Sequence, residues 1–248
     1  RGTRLRQEII LGIGGVRVLR ALGLKPSVFH ANEGHCSFLF LELLREKVAG
    51  GAALDAALRE VADGSVFTTH TPVEAGHDVF AEESICEYFS AYWPQLGMDR
   101  EQFLDLGRVP GHSGWTMTAL ALKLAGRRNG VSRRHGVVSR EMWKGLWPSR
   151  SAEQAPIAHV TNGVHLATWV HQDMGALYDK HIGPDWRERQ DDPALWSKVA
   201  AIPDAELWTQ HNRQKSALLQ MMRGRARRRW MDERGDPAQA LAGGALLD

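Results

Sequence analysis

Val28-Phe29-His30-Ala31-Asn32-Glu33-Gly34-His35 starts as an apolar strand and stops in a cluster of hydrogen-bonding side chains, just where a helix begins. Three more stretches follow the same plan: Val66-Phe67-Thr68-Thr69-His70-Thr71-Pro72, Asn129-Gly130-Val131-Ser132 and Ile157-Ala158-His159-Val160-Thr161-Asn162-Gly163-Val164. Between the first two, apolar residues recur at helical spacing through Phe38, Leu41, Leu44 and Val48. Gly50-Gly51 ends that helix, residues 52–62 form a second, and Asp63-Gly64 turns into the next strand. Strand, helical crossover and parallel strand is the unit from which open parallel sheets are built. The expected fold class is therefore α/β with a doubly wound parallel sheet. In such a sheet the carboxyl ends of the strands share one edge, and ligands bind in the crevice outside it. The four polar tips should line one pocket, and their neutral side chains suit hydroxyl groups.

Working outward, Leu5, Ile9, Val16, Leu19 and Leu22 mark an opening helix from Arg4 to Leu22. Gly12, Gly14 and Gly15 lie inside it, each costing about 1 kcal/mol against alanine, tolerable where a neighbouring backbone packs closely. Lys25-Pro26-Ser27 stops the helix before the first strand. A looser helix is expected over residues 82–93, then a polar connector containing Gly107, Pro110, Gly111, His112 and Gly114. Residues 115–147 read as two helices broken at Asn129-Gly130; a strand ends at Val160, and a helix covers residues 167–181. Beyond Gly183-Pro184 the pattern changes to charged, Trp-punctuated helices over residues 193–230. The simplest organisation is an α/β body, residues 1–161, followed by a helical appendage, residues 162–248. The chain opens on Arg1-Gly2-Thr3 and closes on Ala245-Leu246-Leu247-Asp248, which reads as the start of another strand. The expectation is a fragment of a longer polypeptide.

In the 248 residues, 31 Lys and Arg stand against 29 Asp and Glu, so no global field favours nucleic acid or an anionic membrane. The basic run Arg223-Gly224-Arg225-Ala226-Arg227-Arg228-Arg229 falls on a helix with an apolar side at Trp208, Leu218, Leu219 and Met222, and reads as a solvated or interdomain face. No apolar run is long enough to span a membrane. Cys36 and Cys86 follow no metal or redox spacing and read as small buried apolar residues. Two free thiols fit a reducing, cytoplasmic compartment.

His30, Asn32, Glu33 and His35 include common metal-ligand types within six residues, but the spacing matches no zinc motif. Three readings stay open: a metal hydrolase built on His30, Glu33, His35 and His70, a set of polar groups capping the next helix, or a site for sugar hydroxyls. No metal is expected. No Ser or Cys is placed with His70 and a carboxylate in a triad motif. Asn129-Gly130 and Asn162-Gly163 are either turn residues or amides offering both donors and an acceptor to a hydroxyl-rich ring.

These words taken in order, His30-Ala31-Asn32-Glu33-Gly34-His35, Thr68-Thr69-His70-Thr71-Pro72-Val73-Glu74-Ala75-Gly76-His77-Asp78, Asn129-Gly130-Val131-Ser132 through His135-Gly136-Val137-Val138-Ser139-Arg140, and Thr161-Asn162-Gly163-Val164-His165, resemble the α-glucan (glycogen, starch and maltodextrin) phosphorylases, the shorter bacterial branch above all. The resemblance implies a retaining glycosyltransferase with two Rossmann-like domains (the GT-B plan) that cleaves a terminal α-1,4 bond with inorganic phosphate to give glucose 1-phosphate. It implies pyridoxal phosphate held by a Lys beyond this chain, α-1,4-glucan and phosphate as partners, and room for a homo-oligomer. By position, His70 resembles the residue on the terminal glucosyl unit whose carbonyl and ring favour developing positive charge, and Asn162 resembles the one binding its outer hydroxyls. Glu33, His35 and Thr71 resemble the group holding the next sugar, and Val131 resembles a wall near the cofactor. Residues 1–161 would be the later part of the first domain, and residues 162–248 the hinge and helical lead into the second. A nucleotide-sugar glucan synthase and a noncatalytic glucan-binding module are the competing readings.

Overall fold

The computed structural model describes residues 2–232, which form two compact units dividing between Asn162 and Gly163. The strand expected at Ala245-Leu246-Leu247 lies outside the described residues.

The first unit opens with α1 (Gly2–Ile9), a π-helical turn at Ile10–Gly14 and α2 (Gly15–Ala21), so the expected opening helix is present with a bulge at its glycines. Only Gly12 answers the expected close approach. A Cβ there would lie 2.7 Å from Phe38 Cβ and 2.8 Å from the Leu39 nitrogen, whereas Gly14 and Gly15 face open space or a flexible side chain. Then come β1 (Phe29–Asn32), α3 (Phe38–Ala49), α4 (Leu54–Asp63) and β2 (Ser65–Thr69). The short strands β3 (Val79–Phe80) and β4 (Trp115–Thr116) pair antiparallel, with α5 (Glu82–Phe89) and α6 (Arg100–Gly107) between them. After α7 (Met117–Leu124) come β5 (Arg127–Gly130), α8 (Arg133–Trp143) and β6 (Ala158–His159).

The main sheet is β1-β2-β5-β6, parallel throughout. Its order runs one way without the reversal that defines a doubly wound sheet, and right-handed crossovers then set the helices on one face. Ala31 and Phe67 share that face and are fully buried. Alternation and register put His30, Asn32, Val66, Thr68, Arg127 and Asn129 on the other.

The core beneath is aromatic. Phe38 lies 4.8 Å from Phe89 and 5.8 Å from Trp115, while Phe103 joins Phe89 at 5.3 Å. Beside it, the fully buried side chain of Glu42 collects the guanidinium groups of Arg17 and Arg45 and, at 2.6 Å, the Tyr92 hydroxyl. Burial alone would raise its pKa, but the bonds from Arg45, Arg17 and Tyr92 outweigh it and hold the group down at about 2.

Three readings need correction. Between the two helices expected over residues 115–147 stands strand β5: the polar tip read at Asn129-Gly130 is its end, and Arg127-Arg128 before it does not announce a strand because it lacks apolar alternation. Part of the expected polar connector is helix α6, begun by a reciprocal cap in which the Asp99 carboxylate accepts the Gln102 N–H and the Gln102 side chain accepts the Asp99 N–H. Cys36 and Cys86 are half-buried rather than sealed.

The second unit holds α9 (Leu166–Trp169), α10 (Gln172–His181), α11 (Pro193–Ser197) and α12 (Asp204–Asp232). The one helix expected over residues 167–181 is thus two, parted at Val170-His171. Ile182, Trp186 and Leu195 are its buried centre, with Tyr178 meeting Trp186 edge-on at 5.4 Å. Trp208, Leu218 and Met222 on α12 are exposed. No helix among the described residues is long and apolar enough to cross a membrane.

The contrast among the glycines gives a test. In urea unfolding, Gly12→Ala lowers stability by about 1–3 kcal/mol through overpacking against α3, while Gly14→Ala raises it by up to about 1 kcal/mol. Equal effects at the two positions would contradict the close contact.

Candidate functional site

The carboxyl ends of the four parallel strands bring the polar words of the sequence to one edge. Neighbouring strands lie about 4.8 Å apart, so the tips of β2 and β6, two places apart, are separated by about 10 Å. Three cross-strand bonds hold them. The Glu33 N–H donates to the Thr68 carbonyl at 2.8 Å, the Val160 N–H to Gly130 at 3.0 Å, and the Asn162 N–H to Val131 at 3.0 Å.

On the open face a chain of side chains crosses three strands. The Thr68 hydroxyl donates to Asn129 Oδ1 at 3.0 Å, so it accepts from His30 Nε2, 2.7 Å away. His70 Nε2 donates to Asn32 Oδ1 at 2.6 Å. His70 itself is exposed, as is Asn162.

The carboxylate of Glu33 faces the β2 tip. Its Oε1 accepts from the His70 N–H, from the Thr71 N–H at 3.0 Å, and from the hydroxyls of Thr69 and Thr71 at 3.3 Å. Oε2 accepts from the Gly34 N–H at 3.3 Å. Glu33 has φ 75° and ψ 167°, a region costing about 1–3 kcal/mol for a residue with a side chain. The chain can turn there because Gly34 lies flat on α7: a Cβ on it would stand 3.0 Å from Thr118 Oγ1. His35 follows, half-buried in the same turn.

At the β5 tip Val131 is half-buried, its N–H donating to His135 Nδ1 at 3.2 Å, and Ser132 caps α8 by accepting the His135 N–H at 3.1 Å. Hence all six residues picked from the sequence, Glu33, His35, His70, Thr71, Val131 and Asn162, stand at or next to this one edge. His30 and Asn129 join them through Thr68.

Behind the edge lies a layer that the sequence alone did not single out. His77 is buried edge-on against Trp143 at 5.0 Å, with Nδ1 2.8 Å from Thr118 Oγ1, and burial pushes its pKa down, so the ring is neutral. Arg4 Nε meets Glu8 at 3.0 Å while its terminal nitrogen meets Asp78 at 3.0 Å, so one guanidinium serves two carboxylates. Burial first, then the neighbouring Asp78, lift Glu8 to about 8; Arg4 and Glu8 outweigh burial at Asp78 and hold it low. Glu8 therefore keeps its proton and Asp78 carries the charge. The four-residue spacing of Arg4 and Glu8 was the only sign of this in the sequence. Burial likewise pushes the Cys36 thiol up to about 11, an unreactive state. Among the described residues no three His, Cys, Asp or Glu side chains are placed to hold one metal ion.

Such an edge, at the carboxyl ends of parallel strands, is where α/β proteins of this class take their ligands. No family model matches the chain. It is 39% identical over 247 residues to a glycogen phosphorylase of Aquifex aeolicus, covering 99% of this chain and 35% of that protein. It is 37% identical over 226 residues to a maltodextrin phosphorylase of Thermococcus litoralis, covering 91% of this chain and 27% of that protein. A glycogen phosphorylase of Mycobacterium tuberculosis is 39% identical over 246 residues, 94% of this chain and 28% of that protein. Along the region matched, the chain is a homologue of the α-glucan phosphorylases, and it spans about a third of the length of these relatives. The similarity runs past Ile182 into the Trp-punctuated helices, further than the motifs alone reach.

The proton held by Glu8 behind the site has a measurable sign. A carboxyl whose folded pKa is raised from 4.5 to about 8 stabilises the fold in its protonated form, so stability falls as pH rises through that window. Urea unfolding from pH 5 to 9 should show a decline, on the order of a few kcal/mol at most, that Glu8→Gln removes. Parallel pH profiles for the two proteins would refute the protonated Glu8.

Proposed function

We propose that this chain is part of an α-glucan phosphorylase, an enzyme that transfers the terminal α-1,4-linked glucosyl unit of a glucan to inorganic phosphate and releases glucose 1-phosphate. The observation that carries the reading is the meeting of His70, Asn162 and Val131 at one sheet edge in a chain whose relatives are named glycogen and maltodextrin phosphorylases. Residues 1–161 are then the later part of the first of two Rossmann-like domains, in a doubly wound sheet completed elsewhere in the polypeptide. Residues 162–248 are the hinge and the helical lead into the second.

In this reading the terminal glucose lies over the β2 and β6 tips. The Asn162 amide, exposed and tethered only through its backbone, takes its outer hydroxyls. His70 presents its backbone carbonyl and ring to the sugar carbon as the glycosidic bond breaks. A fixed dipole aimed at developing positive charge lowers the barrier because it needs no reorganisation when the charge forms. His35 and Thr71 hold the next sugar, with Glu33 behind them. The reading invokes no pair of acid and nucleophile carboxylates.

Pyridoxal phosphate comes with the family. In the first unit no described lysine stands at the carboxyl edge: Lys25 precedes β1, Lys47 pairs with Glu60 at 2.7 Å, Lys123 with Asp105 at 3.3 Å, and Lys144 with Glu141. These residues do not supply the covalent anchor, and Val131 offers only a wall. We assign the anchor, the phosphate-binding basic groups and a cytoplasmic setting to the complete polypeptide.

Glucose 1-phosphate release from maltoheptaose and phosphate tests the reading. The complete polypeptide should be active and the isolated 248-residue chain inactive. His70→Ala and Asn162→Ala should each lower kcat by about 100-fold. Parental kcat and KM in both variants would refute the site.

A further inference from the structure

We infer that Glu33 is a positioning residue that aims the His70 carbonyl, and not a ligand of the sugar; the catalytic consequence, though not the clamp itself, rests on the phosphorolysis reading. Five donors converge on this one carboxylate: the N–H groups of Gly34, His70 and Thr71 and the hydroxyls of Thr69 and Thr71. Four of the five fall on Oε1, a single oxygen with two lone pairs, so the oxygen that faces His70 has no capacity left for a substrate hydroxyl, while Oε2 is met by the Gly34 N–H alone.

What the clamp does follows from peptide geometry. The Thr71 N–H and the His70 carbonyl belong to one planar trans peptide unit and point opposite ways. Drawing the Thr71 N–H onto Glu33 Oε1, 3.0 Å away, turns the His70 carbonyl away from Glu33. Drawing the His70 N–H onto the same oxygen fixes the preceding unit too, so both peptides flanking His70 are held. The ring is held separately, through Nε2 on Asn32 Oδ1 at 2.6 Å. One strand tip, Asn32-Glu33, thus sets backbone and side chain of the residue at the next tip.

The backbone of Glu33 fits this role. Its φ of 75° with ψ of 167° is a conformation essentially reserved for glycine, and it persists only where the surroundings over-determine it. Glycine at this position would turn as easily but could not reach His70. The strain is the consequence of having a carboxylate at a turn built for a bare backbone.

Amide hydrogen exchange and kinetics test the inference together. Glu33→Gly keeps the turn accessible and removes only the clamp. In the 248-residue chain it should speed exchange at the His70 and Thr71 amides at least about tenfold, with the Phe67 amide unchanged. Glu33→Gln, which retains an acceptor oxygen, should recover much of the protection. In the complete polypeptide, Glu33→Gly should lower kcat with little change in KM for maltoheptaose, and Glu33→Gln should restore part of it. Unaltered exchange at both amides would overturn the clamp, and a raised KM at constant kcat would make Glu33 a sugar ligand. If the unsubstituted polypeptide forms no glucose 1-phosphate, the phosphorolysis reading fails and the exchange result alone decides the clamp.

Discussion

Parallel pairing of β1, β2, β5 and β6 is the constraint on which everything else rests. An antiparallel neighbour would send every second tip to the opposite edge, and the four polar words would never meet. Parallel strands need crossovers, and those of this chain are mostly helical, with Ala31 and Phe67 fully buried on the sheet. The same pairing that buries the core gathers Asn32, Glu33, His70, Val131 and Asn162 along one rim. Packing and site are two results of one topology.

The polar groups divide by depth. At the rim they are neutral or already satisfied, as in the His30–Thr68–Asn129 chain, so a ligand would meet directed donors and acceptors rather than a strong field. One layer in, charge is managed by sharing: Arg4 between Glu8 and Asp78, and Glu42 among Arg17, Arg45 and Tyr92. Removing one partner from the Glu42 set leaves a buried charge uncompensated, which makes that cluster a rigid support. The Arg4 cluster ties α1 to the His77-Asp78 segment that follows the β2 tip, so the helix opening the chain braces the loop behind the site.

Much of this was legible in the residues. Strands β1 and β2 and the helices between them announced themselves by apolar periodicity and glycine stops, and the polar tips marked the functional edge. Of strand β5 only the tip at Asn129-Gly130 was legible, because Arg127-Arg128 before it offers no apolar alternation and becomes strand through its neighbours β2 and β6. Helix α6 was written in the Asp99/Gln102 cap but hidden among glycines and polar residues. The site residues could be picked out by type and position; the bonding of Glu33 could not, since four of its five bonds come from residues 36 to 38 positions away in the chain. The glycine-like turn at Glu33 is invisible in a sequence for the same reason: tertiary contacts impose it against local preference.

The most direct test of the account is an experimental structure of the complete polypeptide with maltopentaose bound. The account places one glucosyl unit at the rim, hydrogen-bonded to Asn162 and facing the His70 carbonyl. An oligosaccharide bound elsewhere, with both residues out of hydrogen-bonding reach, would contradict it.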